Sequence, residues 1–125
     1  MDQALLVGPD VSAGAKALVI LDAEHIQPAV ALLAVFPEYG DWRFVLSSPS
    51  LDQTHLLKAH IRVAEALDGR SVQALPTVMI FATKDPFIRE LRRLFGKAKD
   101  VTGMRLGGQK IGNRFVEAAY VYRVR

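Results

Sequence analysis

The stretch Asp41-Trp42-Arg43-Phe44-Val45-Leu46-Ser47-Ser48-Pro49-Ser50-Leu51-Asp52-Gln53 reads as a buried strand running into a capped helix. Aromatic and β-branched residues carry Trp42 to Leu46, and the Ser/Pro cluster ends the strand. Ser50 and Gln53 stand at capping-box spacing, so the Ser oxygen can accept from the Gln53 amide while the Gln side chain reaches back. Two similar junctions flank this one, at Leu21-Asp22-Ala23 and at Thr83-Lys84-Asp85-Pro86. Repeated strand-to-helix junctions predict an α/β (or α+β) domain: a mixed sheet of about five strands, with three β-α units followed by a C-terminal antiparallel hairpin and helices packed on the sheet.

Along the chain, residues 1–15 read as a loosely ordered arm, with Ala4 to Val7 as a short edge strand before the Gly8-Pro9-Asp10 turn. The apolar run Lys16 to Leu21 reads as a strand covered on both faces, and a helix is expected from about His25 to Phe36, with Pro28 near its start. A second helix is expected from Leu51 to Asp68, closed by Gly69. Pro76 to Phe81 is apolar on both faces and reads as a central strand. Asp85 caps, and Pro86 opens, a helix whose stripe is Phe87, Ile88, Leu91, Leu94 and Phe95, ending at Gly96. From Gly103 a hairpin follows, turning at Gly112-Asn113. In its second strand Val116, Ala118, Tyr120, Tyr122 and Val124 alternate with Glu117, Ala119, Val121 and Arg123.

A chain of 125 residues, half of them hydrophobic, is long enough for one core without staples, so a single domain over 1–125 is expected. No apolar run reaches the length of a membrane span, and there are no cysteines, which excludes disulfides and thiolate nucleophiles. The Met-Asp start lacks a basic n-region, so a cytoplasmic protein is expected, without membrane partners. Charge is segregated: residues 1–83 hold five Lys/Arg against nine Asp/Glu, a net −4, and residues 84–125 hold eleven against four, a net +7. A basic C-terminal third of this kind favours an anionic partner such as nucleic acid.

Candidate site residues follow from this layout. If the first three strands are parallel, their C-terminal ends gather Asp22 and His25, then Ser47, Ser48 and Ser50, then Lys84 and Asp85 on one edge, where a small anion or ligand could sit over two helix N-termini. The same caps are what strand-helix turns need in any case. For nucleic acid the candidates are Arg89, Arg92, Arg93, Lys97, Lys99, Arg105, Lys110 and Arg114, binding the phosphate backbone without base readout; aromatics are not interleaved among them as base-stacking surfaces need, so the alternative is a solvated helix face. A Ser/His/Asp hydrolase is available in composition, but no Gly-x-Ser-x-Gly elbow exists. No HExxH is present, no acidic residue stands two before any lysine as nuclease motifs require, and no Gly-Lys-Ser/Thr phosphate loop occurs, so neither metal nor cofactor is expected.

Gly107-Gly108-Gln109 resembles the tripeptide that peptide-release factors and small ribosome-rescue hydrolases carry to the peptidyl-transferase centre. The resemblance covers three residues, without the surrounding loop sequence of those proteins, and the glycine pair also reads as a bulge or turn in the hairpin. The sequence reading is therefore a small non-catalytic binding module for a partner or ligand. It is expected to be a homodimer, because the long last strand is not fully matched by its hairpin partner. The rivals are a nucleic-acid-associated protein and a small hydrolase or transferase using the strand-end loops.

Overall fold

The structure, a computed structural model, describes residues 10–68 and 74–125. It is an α+β fold built on one five-stranded mixed sheet in the order β3-β2-β1-β5-β4. In chain order the elements are α1 (Val11–Ala23), β1 (Val30–Val35), β2 (Trp42–Ser47), the short α2 (Pro49–Asp52), α3 (Leu56–Leu67), β3 (Thr77–Ile80), α4 (Pro86–Phe95), β4 (Met104–Ile111) and β5 (Arg114–Val124). β1 is antiparallel to both β2 and β5, β4 and β5 form the expected antiparallel hairpin, and only β2 and β3 run parallel.

Two cores lie on the two faces of this sheet. On one face α1, α2 and α3 bury Ala17, Leu18, Leu21, Leu51, Ala59 and Val63 against Ala31, Leu33, Phe44, Leu46 and Tyr122. On the other, α4 sets Phe87, Ile88 and Leu91 against Val30, Leu32, Val45, Val116 and Val121. The middle strand β1 is buried at every position because it is covered on both sides and paired along both edges.

Residues 16–36 correct the expected element types. Lys16 to Leu21 lies inside α1, not in a strand. Asp10 caps that helix, accepting from the amides of Ser12 and Ala13, and its buried positions Ala13, Gly14, Ala17, Leu18 and Leu21 follow helical spacing while Val19 is 69% exposed. The run read as a helix from His25 to Phe36 holds β1, whose apolar residues divide alternately between the two cores. Pro28 lies in the loop before β1, where His25 and Gln27 take positive φ (63° and 50°). The expected edge strand at Ala4 to Val7 and the Gly69 stop lie outside the described residues, and residues 10–15 of the expected arm belong to the capped helix instead.

Three further corrections bear on the site. The helix expected over 51–68 is two helices, broken where Thr54 bonds back through its hydroxyl to the Leu51 carbonyl and the chain restarts at Leu56. The cap of the first is Ser48, not Ser50, with Pro49 in the first turn. β3 occupies the sheet edge, not its centre, although its faces divide as expected, Val78 and Ile80 toward one core and Met79 and Phe81 toward the other. Clean alternation in β5 also fails: Val116 and Ala119, an odd number apart, share a core, as do Val121 and Val124. The second switch coincides with a register shift against β1, and the first lies across from Gly107 and Gly108, the latter at φ 54°. The Asp85 cap, Pro86, the Gly96 stop and the stripe at Phe87, Ile88, Leu91 and the partly buried Phe95 stand as expected, but Leu94, expected in that stripe, is 44% exposed. The hairpin turns at Gly112 (φ 61°), where a Cβ would approach the Pro86 carbonyl oxygen to 2.5 Å.

Candidate functional site

The strand-end residues do gather, by a different route from the one expected. β1 starts where β2 ends, with Val30 opposite Ser47, so antiparallel pairing brings the 24–29 loop beside the β2 exit. There the Ser48 and Ser50 hydroxyls both donate to the Ile26 carbonyl, at 2.5 and 2.8 Å, and Ser48 Oγ accepts from the Ser50 amide. These bonds clamp a loop whose backbone is strained on either side of buried Ile26. Asp52 accepts from the amide and hydroxyl of Thr83, tying the β2 exit to the β3 exit, and Asp85 accepts from the Phe87 amide as the cap of α4. Ser47 is fully buried, its hydroxyl unpartnered among the described residues. His25 and Lys84 are exposed. The polar edge is therefore largely committed to holding loops together.

Asp22 adjoins that cluster at the end of α1: both its carboxylate oxygens accept from the Arg123 guanidinium at 2.9 and 2.7 Å, and the same guanidinium donates to the Pro28 carbonyl of the clamped loop at 3.1 Å. The hydrogen bond from Arg123, with its charge, holds the Asp22 carboxyl below the ordinary range. The pair borders a cleft of about 360 Å³ between α1, residues 98–102 and the end of β5. Tyr122 in the same wall donates to the Val11 carbonyl at 2.6 Å, and burial pushes its hydroxyl pKa up.

Four of the eight residues in the basic set have partners in the fold. Arg93 pairs with Glu90, Arg92 donates to the Arg125 carbonyl, Arg105 stacks 5.2 Å from the Tyr120 ring centre, and Arg114 lies over Phe81 and reaches Glu38 at 3.4 Å. Arg89, Lys97, Lys99 and Lys110 are exposed on α4, the 96–103 connection and β4. Among the described residues no group of three or more His, Asp or Glu could hold a metal, and no helix is long and apolar enough to cross a membrane.

The sequence reading missed the outer side of β3. Phe81 donates its amide to the Leu46 carbonyl at 2.9 Å, which sets the ladder phase: Thr77, Met79 and Phe81 direct their N–H and C=O toward β2, and Val78 and Ile80 direct theirs outward. Among the described residues no strand pairs on that outer side. β3 itself carries no charged residue. A shallow groove runs along the strand between Leu56, His60, Val78, Ile80, Asp85 and Arg114, and at the start of α3 Leu56 and Leu57 are 59% and 71% exposed. The opposite sheet edge, β4, bears exposed Arg105 and Lys110 and the positive-φ Gly108, features that hinder strand addition. Placing β3 at the edge would have revealed this surface, since its uncharged sequence is visible from the start.

Compared with known proteins, the chain matches no family model, no curated protein and no solved structure.

Proposed function

We propose that the protein is a non-catalytic partner-binding module that works by strand addition: a protein partner lays an extended segment along the outer side of β3 and an apolar side chain against Leu56 and Leu57. The observation that carries this reading is the outward-facing N–H and C=O of Val78 and Ile80 in an uncharged edge strand flanked by exposed leucines. An edge of this kind invites pairing unless it is protected, and main-chain hydrogen bonds supply affinity while side-chain pockets supply selection. Binding is favoured over catalysis because Ser48, Ser50, Asp52, Asp85 and Asp22, the polar groups a hydrolase or transferase would need, are engaged in caps, loop clamps and an ion pair.

The test uses soluble synthetic strand peptides with alternating apolar and polar residues, in excess, followed by fluorescence anisotropy against wild type and Val78→Pro. Proline at 78 removes an outward N–H and leaves the β2 ladder its donors. Peptides that bind wild type and lose binding to Val78→Pro are the expected result. Equal binding to both proteins, or none to either when wild type has monomer mass, contradicts strand addition.

A further inference from the structure

We infer that the partner on β3 is a second copy of this chain, paired antiparallel about a two-fold axis at Met79 so that two five-stranded sheets become one; this rests on the strand-addition reading above. The backbone phase is self-complementary. With the axis at Met79, Val78 faces Ile80 of the other copy, and the groups that point outward are those same two residues. Each copy therefore gives and receives at both positions, and Met79 meets Met79 as a non-hydrogen-bonded pair. A two-fold contact of this type closes on itself and leaves the protected β4 edges outside.

The helix beside the strand selects a second copy over a bare peptide. A peptide strand covers the β3 backbone and leaves much of the exposed Leu56 and Leu57 in water, whereas a second copy brings its own α3 alongside, with its own exposed leucines. The charges agree. α3 carries Lys58 in its first turn and Glu65 in its last, with Asp68 as its C-cap, the reverse of what its own dipole favours. The two-fold sets the helices antiparallel, so the basic start of each lies toward the acidic end of the other and the dipoles oppose.

Because the chain has no cysteine, Met79→Cys places one thiol per copy at the axis. Non-hydrogen-bonded antiparallel pairs stand about 4.5 Å apart at Cα, within disulfide reach. With oxidised glutathione as oxidant, the two introduced thiols become one disulfide and two glutathione thiols are released. The expected result is a dimer mass by sedimentation, cross-linking of Met79→Cys at least about tenfold faster than of Val78→Cys, and a shift toward monomer in Leu57→Glu, whose exposed position leaves folding intact. Val78→Pro, checked by circular dichroism, should shift likewise. Monomer mass at all concentrations without cross-linking overturns the second copy, and retained peptide binding in that case leaves strand addition standing. A dimer in which Met79→Cys fails to cross-link, and which responds to neither Leu57→Glu nor Val78→Pro, likewise overturns the second copy on β3. A monomer in which the Val78 and Ile80 amides exchange slowly assigns the edge to the chain itself and equally overturns the second copy.

Discussion

Ser48 is buried, caps α2 and donates to the Ile26 carbonyl, whereas Ser50 shares only the last of these roles. Loss of an N-cap together with a buried hydrogen bond costs about 2 kcal/mol, so Ser48→Ala should lower the urea midpoint by more than Ser50→Ala, for which about 1 kcal/mol is expected. Equal effects would show that the clamp on Ile26, and not the cap, dominates. Ser47→Ala should act in the opposite sense, because it deletes a buried hydroxyl without a partner among the described residues. A gain of about 1 kcal/mol is expected from the same denaturation. Asp22 supplies a pH signature. Its folded pKa is depressed below the ordinary value of 3.8, so the stabilisation from Arg123 is present above that value and disappears as pH falls through the folded one. The pair is partly solvated, which limits it to about 1 kcal/mol. Asp22→Asn should remove this part of the acid-side decline, and an unchanged stability profile below pH about 4 would show that the pair contributes nothing.

At the scale of elements, packing of α1 against β5 depends on Gly14, where any Cβ would overlap the Tyr122 ring. Gly14→Ala should therefore destabilise the fold by about 1–3 kcal/mol despite its better helix propensity, as thermal or urea unfolding would register. A stabilised variant would mean that α1 can retreat from the sheet. Elements with local signals were legible in the sequence: β2 by its aromatic and β-branched run, α4 by Asp85, Pro86 and its stripe, the hairpin by Gly112-Asn113. Residues 16–36 were not. Lys16 to Leu21 and Val30 to Val35 are both short apolar runs, and what separates them is tertiary: one run is covered on a single side and the other on both. The candidate polar edge was legible as a cluster because helix caps cluster at strand exits, but its side chains proved to be occupied. The β3 edge was not legible, since strand order follows from pairing between distant segments, and an apolar strand reads the same at the centre as at the rim.

For the whole molecule, β5 no longer supplies a reason for assembly: it is paired by β4 over its first part and by β1 through its end. The asymmetry between the two sheet rims replaces it, one strand bearing Arg105, Lys110 and Gly108, the other without a charged residue and bordered by Leu56. In the basic C-terminal third, Arg93 is paired with Glu90, Arg92 donates to a backbone carbonyl, and Arg105 and Arg114 lie over ring faces, while Arg89, Lys97, Lys99 and Lys110 stand exposed. The measurement that bears most directly on the β3 edge is residue-resolved amide exchange of Val78 and Ile80 in concentrated protein and after about a hundredfold dilution, with Met79 as internal reference. The account predicts that Val78 and Ile80 are protected when concentrated and lose protection on dilution, while Met79, bonded to β2, stays slow in both. Val78 and Ile80 exchanging as exposed amides at both concentrations would contradict it.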